Sequence, residues 1–318
     1  MSFFTTYSKK LENLIAAVIF LITFVVYFST MAPTVSFWDT GEFIATSHIL
    51  GVPHPPGSPL FLLVGKFFSL IPVSSDIAFR VNIFSPIISA LTISLLFLIC
   101  NQFIDRLDPN NDNRFFKMWS SLTASLTFAF THSHWFNAVE TEVYAFSGFM
   151  TALVVYLIML WSKKINNSNH IIYLMLISYI IGLATGLHLL NLLTIPFIGL
   201  IIYYTIGKLS AKNLFLTLSL SIIIFFGIQS FIIQGLPQIT LSIGLIGLVC
   251  LVFSLLIISG YAIKKNKALS SMFLSSVLLI IVGYSTYFAI FIRSSQDPNI
   301  DENNPETVAE AISYLNRD

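Results

Sequence analysis

Two short stretches gather the side chains able to do chemistry. The first, 32–60, reads APTVSFWDTGEFIATSHILGVPHPPGSPL and holds Asp39, Glu42, His48 and His54 beside Phe37 and Trp38. The second, 131–144, reads THSHWFNAVETEVY and holds His132, His134, Glu140 and Glu142. Both lie between long apolar runs, where an ionisable group is costly and marks a functional site by default. Asp39 and Glu42 are three residues apart, so a helix would put them on one face, with Asp39 or Thr40 as its cap. Beyond capping, Asp39 has the chemistry of a general base that takes a proton from an acceptor hydroxyl within hydrogen-bond reach.

The remaining candidates read as substrate contacts. His54 stands among Pro53, Pro55, Pro56 and Pro59, which stiffen the backbone, and Gly57 permits a tight turn. That loop is either a rigid turn re-entering the membrane or a shaped support for His54. His-x-His near carboxylates has the donor types of a divalent-metal site. With no cysteine and no His pair four apart, however, a metal is not favoured and none is assigned. The better reading is a second wall of the same pocket, with Glu140 or Glu142 holding the acceptor and His132 or His134 meeting a phosphate. Arg80 either snorkels to headgroups or holds a lipid-linked phosphate in its fork. His188 and Asn191, in GLATGLHLLNLL, fit a core histidine or a phosphate contact equally. Gly182 and Gly186 in the same stretch form a small-xxx-small pattern, which speaks for helix packing.

These residues need an apolar scaffold to hold them, and the composition supplies one. Of 318 residues, 56% are hydrophobic and 10% charged, and the mean hydropathy is +0.84. A soluble domain cannot hide so much apolar surface, so the fold class expected is an all-α polytopic membrane bundle whose first partner is the lipid bilayer. There is no basic stripe or nucleic-acid motif, which excludes nucleic acid as a partner. Cys100 and Cys250 lie inside apolar runs and read as packing or lipid-facing residues.

Nine spans are predicted, at 11–31, 77–100, 118–130, 143–161, 170–187, 189–206, 214–234, 241–263 and 269–292. The first is read as a retained span rather than a cleaved signal peptide. Segment 61–71 is apolar but short and reads as a re-entrant or interfacial helix. The stretch 101–117, with DPNNDN at its centre, reads as a polar, turn-rich loop. With the N-terminus inside, 12 of the 16 Lys and Arg residues fall in inner loops, as the positive-inside rule requires. The outer loops, 32–76 and 131–142, then carry four of the six histidines, and His188 at the outer junction of the fifth and sixth spans is a fifth. Residues 1–292 form the membrane domain. The polar, acidic segment 293–318 has no apolar face sufficient to fold alone. It reads as an outer-side linker leading to a C-terminal domain absent from this chain.

Three stretches, PTVSFWDTGEFIATSHILGVPHPPGSPLF, HWFNAVETEVYAFS and GLATGLHLLNLL, resemble the signatures of the bacterial domain-of-unknown-function 2723 family. That family is similar to the vertebrate protein O-mannosyltransferases that modify plexin-type receptors, and both resemble membrane glycosyltransferases of the C-type fold. The resemblance covers roughly residues 11–318. It implies that the acid of the first outer loop is the catalytic base, which here fits Asp39 first and Glu42 second. It also implies a polyprenyl-phosphate sugar as donor, no required cofactor, and a Ser or Thr hydroxyl of an exported protein as acceptor. The resulting expectation is inverting sugar transfer at the outer face of a bacterial inner membrane, with Arg80, His54 and His188 stabilising the leaving phosphate. A transporter or flippase for a lipid-linked or small polar solute is the alternative. The near absence of ionisable residues in the later spans, and of an internal repeat, weighs against it.

Overall fold

The computed structural model describes residues 2–107 and 113–317. Most of the DPNNDN turn therefore lies outside the described residues. In chain order the helices are α1 (Ser2–Thr30), α2 (Thr40–Ile49), α3 (Pro59–Ser69), α4 (Ile77–Asn82), α5 (Phe84–Leu107), α6 (Arg114–Ala129), α7 (His132–Ala138) and α8 (Val143–Lys163). There follow α9 (Ile171–Thr185), α10 (Thr194–Ile206), α11 (Ala211–Gly227), α12 (Gly235–Lys264), α13 (Ala268–Tyr284), α14 (Phe288–Ser294) and α15 (Val308–Asn316). Local chemistry sets many of their starts. Pro59 opens α3, where its missing N–H costs nothing. Asp76, Asn113 and Ser210 cap α4, α6 and α11 through their side chains.

Among the described residues six stretches are long and apolar enough to cross a membrane: Lys9–Thr30, Ile77–Leu107, Val143–Lys163, Leu189–Ile206, Ala211–Lys264 and Ala268–Ser294. The chain is a polytopic helical membrane protein. The nine predicted spans map onto these six with a physical remainder. The 54-residue stretch Ala211–Lys264 contains two of them, 214–234 and 241–263, with a π-helical turn at Ile228–Ile233 in the first and a non-helical kink at Gly244 in the second. Two others, α6 with 16 residues and α9 with 15, fall short of the length a straight crossing needs. The 11 residues of α3 reach only about 16 Å, far less than the ~30 Å hydrocarbon core.

The chain divides into two compact units, Met1–Ile44 with Gly65–Met159, and Ala45–Val64 with Leu160–Asp318. In the first unit the buried core joins Ala16, Ile19 and Tyr27 of α1 to Ala90, Ile93 and Phe97 of α5, Ala129 of α6 and Ala138 of α7. In lipid an apolar side chain gains little by burial, so close packing and polar contacts must hold the helices. Here Ser94 Oγ donates to the Ala16 carbonyl at 2.8 Å and the Tyr27 hydroxyl to the Ala129 carbonyl at 2.9 Å. The expected turn-rich loop begins later than predicted, because NQFIDRL continues α5. Lys117 explains the extension, since its ammonium meets Asp105 at 2.7 Å and Glu12 at 2.9 Å.

In the second unit α9 and α13 cross at glycines. A Cβ on Gly182 would strike the backbone of Ile280, and one on Gly283 the backbone at Gly182 and Leu183. The packing reading of Gly182 is thereby explained. The tail, not expected to fold alone, carries a docked helix. Thr307 and Glu310 form a reciprocal capping box at the start of α15, and Ala311 and Tyr314 are buried. Its low apolar content hid this, because two buried side chains suffice when the docking surface already exists.

Candidate functional site

The first unit builds a carboxylate cluster around one buried amide. Asn82 ends α4 and is fully buried. Its Nδ2 donates to the carbonyls of Ala32 at 2.8 Å and Thr34 at 2.9 Å, and its Oδ1 accepts from the Thr141 hydroxyl. The Ala32 amide closes on the Val139 carbonyl at 2.8 Å. Residues 32–36 are thus tied to 139–142. Across that seam Ser36 Oγ donates to Glu140 Oε2 at 3.0 Å, while Glu140 Oε1 is buried without a partner.

Glu142 is the most perturbed acid of the cluster. It is buried, and its carboxylate accepts from the backbone N–H groups of Asp39 and Val143. It therefore bridges the starts of α2 and α8, where helix dipoles favour negative charge. Burial nevertheless wins. Together with the negative charges of Asp39 and Glu140 it pushes Glu142 up from 4.5 to about 7. Burial also raises Glu140, against the Ser36 hydrogen bond. Asp39 precedes α2, its carbonyl accepting the Phe43 amide at 2.9 Å, and its side chain is exposed. Glu42, in the first turn of α2, is partly exposed. The structure thus brings Asp39, Glu140 and Glu142 together.

The other candidates in this unit are placed differently. His134 turns into an aromatic core, 4.8 Å from the Phe128 ring and 5.9 Å from that of Tyr27. Burial depresses it to about 4, so it is neutral at pH 7 and carries no charge for a phosphate. His132 is exposed and stacks on Phe136 at 6.0 Å. Both sit on α7, two residues apart and hence on different faces. Arg80 spends two donors on backbone, Nε on the Ser74 carbonyl at 2.6 Å and Nη1 on that of Ser69 at 3.1 Å. It secures the exit of α3 and its following turn.

In the second unit the proline loop meets the His188 junction. Ser58 Oγ donates to the Leu187 carbonyl at 3.2 Å, and the Leu60 amide to Gly186 at 3.1 Å. The His54 carbonyl accepts the Gly57 amide at 2.9 Å, closing the turn. His188 Nδ1 accepts from the Leu190 amide at 3.2 Å, and Asn191 Nδ2 donates to the His188 carbonyl at 3.0 Å. Burial lowers the His188 pKa, with the positive charge of Arg317 adding to the effect. Sequence reasoning missed Asn82, Thr141, Ser36 and Tyr314. An asparagine within the apolar run IAFRVNIF was the signal available for the first.

An acid cluster carried by a polytopic helical scaffold defines a class of membrane protein with acid–base groups at its helix ends. Comparison with known proteins gives the family. Residues 39–211 match the family described as the protein O-mannosyl-transferase TMEM260 N-terminal domain. This is more than half of the chain, and the chain belongs to that family. It is 29% identical over 203 residues to the protein O-mannosyl-transferase tmem260 of Dictyostelium discoideum, covering 59% of this chain and 23% of that protein. It is 34% identical over 122 residues to the Mus musculus protein O-mannosyl-transferase TMEM260, covering 37% of this chain and 16% of that one. The chain thus aligns with less than a quarter of either relative's length. No solved structure matches it.

Proposed function

We propose that this chain is the membrane part of a protein O-glycosyltransferase. It would move a hexose, mannose by its relatives' printed names, from a polyprenyl phosphate to Ser or Thr hydroxyls of exported proteins. The reaction would run at the outer face of a bacterial inner membrane, with the N-terminus in the cytoplasm. The observation that carries the reading is Glu142, a buried carboxylate with a pKa near neutrality that holds the Asp39 amide. In the proposed step the acceptor oxygen attacks the anomeric carbon as the bond from that carbon to the phosphate oxygen breaks. The hydroxyl proton passes to the Asp39 carboxylate, and Glu142 is the next acid able to hold it. The polyprenyl phosphate departs with its charge, stabilised by His54 and His188. Positioning and electrostatics therefore supply the catalysis. Arg80 keeps part of its fork for this work, and Glu42 remains the second candidate base.

The test is mass spectrometry of exported proteins from cells carrying the intact chain or Asp39→Asn at equal protein level. Loss of a Ser- or Thr-linked hexose in the variant is the expected result. Unchanged glycosylation would overturn the base assignment and return the transporter reading.

A further inference from the structure

The proline loop cannot hold itself. Pro53, Pro55 and Pro56 have no N–H to donate, so its carbonyls need donors from elsewhere. Those donors come from the polar tail of the same unit. Arg293 Nε donates to the Leu50 carbonyl at 2.7 Å and Nη2 to that of Ile49 at 3.3 Å, placing a cation on the carbonyl end of α2. The Val52 amide donates to the Ile300 carbonyl at 2.8 Å, and the Glu302 amide to the Val52 carbonyl at 3.1 Å. These form a single parallel bridge between Val52 and Asp301. The Tyr314 hydroxyl donates to the Pro53 carbonyl at 2.5 Å. Tyr314 is fully buried, and its hydroxyl lies 2.6 Å from where a Cβ on Gly57 would stand. With φ at +72°, Gly57 is required both by the turn and by this contact.

The tail folds by docking on its own unit, on α12 as well as on the proline loop, and not alone. Nine residues of helix are marginal in water even with a capping box, so α15 is held by what Tyr314 and Ala311 dock against. We infer that Arg293 and Tyr314 are positioning residues for His54, so that segment 293–314 is a working part of the transferase site. The assignment rests on the function proposed above. It separates from simple packing because a positioning residue acts through His54, whereas a packing residue acts on the whole fold.

The experiment uses the full chain in lipid nanodiscs and the variants Tyr314→Phe, Arg293→Gln, His54→Ala and the double variants with His54→Ala. Hydrogen exchange followed over residues 50–58 should speed up about tenfold in Tyr314→Phe and Arg293→Gln, with the amides of α8 and α13 unchanged. For transfer, kcat/KM should fall about tenfold in each of these two variants, yet less than twofold when His54 is already Ala. Fully additive losses, or loop exchange that does not change, would overturn the inference. If the wild-type chain transfers no sugar, the function reading fails separately. The exchange measurement then still decides whether the tail clamps the loop.

Discussion

Replacing Glu142 with Gln should raise stability in alkali and not in acid. The rise of Glu142 from 4.5 to about 7 means that ionising it in the folded protein costs about 3 kcal/mol more than in the unfolded chain. The sign follows from the direction. The folded state binds this proton more tightly, so the wild type loses stability as pH climbs from 4.5 through 7, and the full cost is present above 7. Glutamine removes that cost. Its oxygen can still accept the Asp39 amide, but its NH2 cannot accept from Val143, a loss of about 1 kcal/mol. The balance is a gain of about 2 kcal/mol at pH 8 and a loss of about 1 kcal/mol at pH 4. Thermal unfolding of the detergent-solubilised protein at both pH values reads this directly. The curves of variant and wild type should exchange order between them. An equal offset at both pH values would show that Glu142 does not hold its proton at neutrality, and the relay from Asp39 would lose its second station. In the same variant, transfer should fall at least tenfold.

Two further perturbations probe Asn82, which organises the cluster, and His134, which lies apart from it. Asn82→Ala removes three hydrogen bonds around a fully buried site and leaves the Ala32 and Thr34 carbonyls without their donor. Thermal or denaturant unfolding should show a loss of about 2–4 kcal/mol, with transfer falling as the loops separate. A loss under 0.5 kcal/mol would remove Asn82 as the organiser. His134→Phe should retain transfer within twofold, since the imidazole is neutral in an aromatic nest. Its folded pKa of about 4 lies below the usual 6.5, so wild-type stability is full above 6.5 and drains as pH falls toward 4. The Phe variant should lack that acid lability in a melting series from pH 7 to 4. A tenfold loss of transfer would restore His134 to the site.

Patterns of residue type alone determined the class of this protein. Apolar run lengths fix a membrane bundle, because the bilayer penalises any other placement of those residues. Residue chemistry likewise marked 32–60 and 131–144 as the places where polar groups meet lipid edges. Tertiary structure decided which of those groups work together. His134 and Glu142 belong to the same short stretch, yet one enters an aromatic core and the other accepts two helix-end amides. Eight residues of chain cannot encode that split, since it depends on where α1, α4 and α8 bring Tyr27, Asn82 and Val143. The tail shows the same limit. Its composition is that of a solvated segment, and it becomes structured because a loop some 260 residues earlier offers Pro53 to Tyr314. Local sequence sets what a segment can do, and burial against distant partners sets which of those things it does.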